Sequence, residues 1–206
     1  MARPHAEHPE LRRRRILDAA RVVMARQDYR DLRLEDVARE AGLAKGTLYL
    51  YFRDKTDLMC AVLDDMLHGM EDLVRDATPK TPAPSAREAA RTTLRAIAEG
   101  HLAFLDVHHD FMTRCISQDP LLSEDPSYAP IRTRMNAHLT MLTKLIREAQ
   151  SAGLMRPGDP RMDALFFMEL LRLFLTRRVV FGNRRPLRTQ ADALLDLFLN
   201  GTGRHA

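Results

Sequence analysis

Apolar residues along this chain recur every three or four positions, and nowhere do they alternate with period two. Over residues 11–26 the pattern Ile16, Ala19, Ala20, Val23, Met24 predicts an amphipathic helix. Asp28 and Asp31 mark a turn. A short helix follows, with Leu34, Val37, Ala38 and Ala41 on one face, and Gly42 stands where a C-cap glycine belongs. A second short helix is predicted over 45–51. Asp54 reads as an N-cap with Asp57 at capping-box spacing. It opens a helix through Leu58, Val62, Met66 and Leu73 to residue 76, roughly 30 Å long at 1.5 Å per residue. Residues 1–10 read as a loose arm and 77–86, ATPKTPAPSA, as a linker with three prolines. Helical patterns then cover 86–107, 110–118, 130–152, 161–181 and 189–199. The fold class is all-α with about nine helices. A three-helix head at 1–53 precedes a helical body at 54–206.

Charge sharpens this division. The net charge is +4. Residues 1–55 hold thirteen Lys/Arg against nine Asp/Glu, and the remainder is balanced at nineteen of each. The whole surplus sits in the head, as expected of a polyanion-binding module. Cys60 and Cys115 are too few for a disulfide framework and lack metal-ligand spacing, which fits reduced thiols in a cytoplasmic protein. The longest apolar stretch, 164–181, is broken by Glu169, Arg172, Arg177 and Arg178, too charged for a membrane span. The amino terminus lacks the apolar core of a signal peptide.

Chemistry concentrates in one place. The chain has no Trp and only 6% aromatics, yet Tyr49, Tyr51 and Phe52 fall within four positions. They follow Lys45 and Thr47 and precede Lys55. Two short helices around a glycine turn make a helix-turn-helix, whose second helix meets base edges in the major groove. Lys45, Thr47 and Lys55 supply donors for phosphate or base. Leu48 and Phe52, four apart, point inward as anchors, and Tyr49 and Tyr51 suit the sugar-phosphate wall.

Residues 14–63, RILDAARVVMARQDYRDLRLEDVAREAGLAKGTLYLYFRDKTDLMCAVL, closely resemble the tetracycline-repressor (TetR) family of bacterial regulators. The resemblance is carried by Val37, by Ala41-Gly42-Leu43, by the run Lys45 to Phe52 (KGTLYLYF) and by Lys55-Thr56-Asp57-Leu58. It implies that Lys45, Gly46, Thr47, Tyr49, Tyr51 and Lys55 occupy DNA-contact positions. Leu50 would lie where sequence-reading side chains vary, able to touch a thymine methyl. Two positions depart from the family pattern. Asp28 replaces the usual glycine before Tyr29, and aspartate tolerates a left-handed backbone. Arg33 replaces a Ser or Thr cap, losing about 1 kcal/mol, and is a candidate phosphate contact. Arg12 to Arg15 form a further basic run at the start of the first helix.

The resemblance also implies an operator-binding homodimer, joined through its last two helices, and an effector pocket in the body. The segment 164–181 shows almost no polar side and is expected to be buried nearly all round, with Leu194, Leu195, Phe198 and Leu199 joining it across the dimer. Pocket candidates are Phe104, Phe111, Met112, Met135, His138, Met141 and Met168, an adaptable apolar set suited to a small apolar or amphipathic effector. His101 and His108 lie two turns apart, roughly 10 Å, too far to share a metal. No motif calls for a cofactor. The alternative, an all-helical metal-dependent enzyme using the body's histidines, has no nucleophile, phosphate-loop or H-E-x-x-H motif behind it.

Overall fold

The computed structural model describes residues 8–77, 83–118, 126–182 and 185–201, the side chains of 115–118 excepted. Most of the expected amino-terminal arm, the centre of the Pro-rich linker and the Cys115 thiol lie outside the described residues. Every regular element among the described residues is helical: α1 Pro9–Arg26, α2 Leu34–Glu40, α3 Lys45–Tyr49, α4 Lys55–Asp76, α5 Ala86–Val107, α6 His109–Gln118, α7 Ala129–Ser151, α8 Pro160–Phe181 and α9 Ala191–Asn200, with 3-10 turns before α7 and α9.

Local chemistry sets the ends. The Ser85 hydroxyl accepts from the Glu88 N–H at 3.2 Å and caps α5. Asp159 accepts from the Arg161 N–H at 2.9 Å, with Pro160 in the first position of α8. Gly42 takes φ +64°. The Leu43 N–H then reaches the Ala38 carbonyl at 2.8 Å and the Gly42 N–H reaches Arg39 at 3.1 Å, closing a Schellman motif between α2 and α3. Gly153 ends α7 by the same pair of bonds, to Ala149 and Gln150.

Two features differ from the expected local structure. The turn after α1 needs no left-handed residue, since among the described residues only glycines have positive φ. Asp28 instead lends its carbonyl to the N–H groups of Asp31 and Leu32. At the start of α4 the capping box is displaced by one residue. Asp54 Oδ1 accepts from the Asp57 N–H at 2.8 Å, but the Asp57 carboxylate turns back to the N–H of Arg53 rather than of Asp54.

The chain forms two compact units, Met1–Met66 with Asp110–Arg132, and Leu67–His109 with Thr133–Ala206. The core of the first contains Ile16, Leu17, Ala20, Leu48, Leu58 and Val62. Ion pairs from Arg21 to Asp65 and from Arg114 to Asp28 stitch its surface. The second unit packs α5 against α8, α9 and the turn at Leu187–Gln190, burying Leu94, Ile97, Leu102, Phe167, Leu175 and Leu194. Asp106 on α5 pairs with Arg178 and accepts from the Arg188 N–H.

Helix α8 is not buried all round. Its inner side, Ala164, Phe167, Leu170, Leu171, Phe174 and Leu175, is enclosed, while Met162, Phe166, Leu173 and Val180 remain exposed in the single chain. The absence of a polar side therefore reflects two apolar faces, one used within the chain and one left open. Leu194, Leu195 and Phe198 are buried within the unit and are not part of that open face.

Replacing Gly42 by alanine should cost about 1–2 kcal/mol through left-handed strain, because an added Cβ meets nothing within 4 Å. Urea denaturation of the full chain measures it, and an unchanged midpoint would show that the turn relaxes freely.

Candidate nucleic-acid interface and effector body

Helix α3 is a single turn and a half, ending at Tyr49 rather than at Tyr51. Below it, Leu48 and Phe52 are buried as anchors. Above it, Lys45, Gly46, Tyr49 and Leu50 are exposed, Tyr49 by 46% and Leu50 by 83%. Thr47 and Tyr51 are half-buried beside them.

The cations have partners. Lys45 is ion-paired with Glu35 of α2 and lies 6.0 Å from the Tyr49 ring centre. The Lys45 ammonium, through its hydrogen bond, holds the Glu35 carboxyl below its usual range, and Glu35 in turn raises Lys45. Lys55 donates to the carbonyls of Tyr29 and Arg30, both at 3.0 Å, and sits 4.7 Å above the Tyr29 ring. These bonds use two of its three protons. Arg33 occupies the N-cap of α2, exposed and making no side-chain cap bond. From the basic run, Arg13 lies 5.8 Å from the Phe52 ring centre.

Sequence reasoning missed Glu35, because nothing in the spacing of two separate helices signals an acid facing Lys45. It also missed the Lys55 bonds to the turn at 29–30. The aromatic at Tyr29, with its hydroxyl 2.8 Å from Thr56 Oγ1, was the available clue.

The seven pocket candidates divide between the units. Phe111, buried, and Met112, half-buried, belong to the first. Phe104, Met135, Met141 and Met168, all half-buried, belong to the second with His138, which is 1% exposed. His138 meets His101, 3% exposed, with Nε2 atoms 3.4 Å apart. Burial lowers both rings' pKa, that of His101 to about 4 with help from His138 and against the Ile97 carbonyl bond. Glu71, ion-paired with Arg134, partly offsets the effect at His138. The proximity of His101 and His138, on different helices, was invisible in the spacing. Among the described residues no group of three or more His, Cys, Asp or Glu is arranged around a metal. His108 stacks on Phe104, and His109 Nδ1 lies 3.1 Å from the Asp106 carbonyl.

The family model "Bacterial regulatory proteins, tetR family" matches residues 16–62, the segment that builds this head. That segment is similar to the TetR family's amino-terminal domain. The chain's TetR fold is shared along nearly the whole length with a fatty acid degradation regulator, FadR, from Bacillus halodurans. That structure is 21% identical with a TM-score of 0.81, over 97% of this chain and 100% of that one. The fatty acid metabolism regulator protein of Bacillus subtilis is 23% identical over 90% of this chain and 93% of its own. A crystal structure of FadR from Bacillus subtilis, in complex with stearoyl-CoA, is 23% identical with a TM-score of 0.76, over 92% and 99% of the two chains. The segment matched to these bacterial regulators is the helix-turn-helix, and the fold shared with them extends over the helical second unit.

Two outcomes are expected of these charges. Glu35→Gln releases Lys45 and should tighten binding to non-specific duplex DNA several-fold at low salt, steepening the slope of log K against log salt by up to about 0.9. An unchanged slope in a fluorescence titration would mean that Lys45 faces no phosphate. The histidine pair makes stability depend on pH. Below about 6.5 the unfolded chain binds protons that folded His101 refuses until about pH 4. Stability should thus be insensitive to this pair above pH 6.5 and fall between pH 6.5 and 4. His101→Gln should flatten that fall in urea midpoints followed against pH.

Proposed function

We propose that this protein is a ligand-responsive repressor that binds a palindromic operator as a homodimer and is released by a small, largely apolar effector. A head at 1–53 reads the DNA and a body at 54–206 holds effector and partner copy. The observation that carries the reading is α3 itself, with Leu48 and Phe52 buried beneath an exposed row of Lys45, Gly46, Tyr49 and Leu50. In this arrangement Lys45, Thr47, Tyr51 and Lys55 hold phosphates, and Arg33 adds a further one. Tyr49 packs on the sugar-phosphate wall and Leu50 touches a base, most simply a thymine methyl.

The open face of α8 supports the homodimer. Met162, Phe166, Leu173 and Val180 recur with helical period on one helix, rimmed by the charged Arg172 and Arg177, a patch that a second copy covers by symmetry. Two heads then address half-sites about 34–36 Å apart. The half-buried Phe104, Met135, Met141 and Met168 support an apolar or amphipathic effector, and the Bacillus subtilis regulator with stearoyl-CoA supports a long-chain one. Helix α4 begins in one compact unit and ends in the other. Effector binding acts along it, with energy set by the difference in affinity for the two arrangements. The protein works in the cytoplasm as a regulator rather than a catalyst. No helix among the described residues is long and apolar enough to cross a membrane.

Lys45→Ala and Tyr51→Ala should each weaken operator binding about tenfold or more, while Phe166→Asp should yield monomers in sedimentation. If gel-shift titration finds both alanine variants binding like the parent protein, the DNA-binding assignment of α3 is wrong.

A further inference from the structure

Two imidazoles meet inside the second unit, and their proton positions follow from their partners. The Ile97 carbonyl lies 2.9 Å from His101 Nδ1 and can only accept. That nitrogen therefore carries the proton, and His101 Nε2 is a bare lone pair. Across 3.4 Å, His138 must offer Nε2–H, because two bare nitrogens facing each other repel. His138 Nδ1 is then an acceptor. It is enclosed and, among the described residues, has no hydrogen-bond partner. Burial keeps both rings neutral at neutral pH, so no second proton turns Nδ1 into a donor. Glu71 is the charged group acting on His138. Its carboxylate, paired with Arg134, offers oxygens that accept.

A buried acceptor without a donor is costly, and such groups in proteins are nearly always satisfied. We propose that His138 Nδ1 is the polar anchor of the effector site, and that the effector offers it a hydroxyl or amide N–H carried on an apolar skeleton. The inference rests on the reading of the second unit as an effector-binding body and narrows the ligand class. Ethers, esters, carboxylates and the thioester group present only acceptors and leave Nδ1 unmatched. Alcohols, hydroxylated chains and amides, including the amide N–H groups of a coenzyme A arm, match it. Met135 and Met141, three residues to either side of His138 on α7 and half-buried, are the adjoining apolar surface.

The relay also has a direction. A donor at Nδ1 polarises the His138 Nε2–H, strengthening its bond to His101 and so the tie between α7 and α5.

The test uses full-length protein labelled with 15N at histidine. Without ligand, long-range proton–nitrogen spectra should show His101 protonated on Nδ1 and His138 on Nε2. A His138 protonated on Nδ1 overturns the proposal. Decan-1-ol and its methyl ether, 1-methoxydecane, differ in the donor and share the chain. The alcohol should bind about tenfold more tightly by thermal shift and move the His138 Nδ1 resonance, with the preference lost in His138→Leu. Equal binding of the two, binding of neither, or a free-state Nδ1 already hydrogen-bonded to water overturns it. So does a stoichiometric metal between the Nε2 atoms by elemental analysis. An operator gel shift run alongside separates the two readings. An alcohol that binds at His138 and leaves DNA bound refutes effector-driven release while the anchor stands.

Discussion

A helix of five residues does not persist in water on its own, because one turn's hydrogen bonds do not offset the cost of ordering it. Helix α3 exists because Leu48 is wholly enclosed and Phe52 nearly so. Those two anchors, four residues apart, hold the intervening backbone rigid and leave the opposite side for Lys45, Tyr49 and Leu50. The Schellman turn at Gly42 places α3 after α2, and the buried Val37 and Ala38 fix α2 against α1. The exposed chemistry of the head is a by-product of what is hidden beneath it.

Electrostatics in the head are self-contained before any DNA arrives. Lys45 is held by Glu35, and Lys55 by two backbone carbonyls. A phosphate at Lys45 would therefore exchange one partner for another in exposed surroundings, where ion pairs contribute little. The two lysines look alike in the sequence but differ in setting, one on a carboxylate of the neighbouring helix and the other on the backbone of a turn.

The nine helices among the described residues were legible because their apolar residues kept a 3.6-residue period over most segments and because Gly42 marked an end with recognisable chemistry. The anchors Leu48 and Phe52 were legible for the same reason. Less was legible where chemistry depended on side chains brought together from separate helices. The Glu35–Lys45 pair, the lock on the turn at 29–30 and the His101–His138 contact leave no trace in spacing. Helix α8 was legible as apolar with a face for a partner copy, but periodicity could not say which of its residues face their own chain. The pocket candidates suffered likewise. Hydrophobic residue types named them, yet Phe111 and Met112 belong to a different compact unit from Met135 and Met141.

The bonds from Lys55 to the carbonyls of Tyr29 and Arg30, with Tyr29 on Thr56 and Arg21 on Asp65, bear on how hybrid regulators should be built. A splice just before α4 would hand Lys55, Thr56 and Asp65 to a foreign sequence while their partners stayed behind. The loop leading into α2 would lose its tether and α1 its ion pair to α4. A transplantable reading head from this chain has to carry the first three turns of α4 with it, and the natural seam for recombination lies inside a continuous helix rather than in the loop that precedes it.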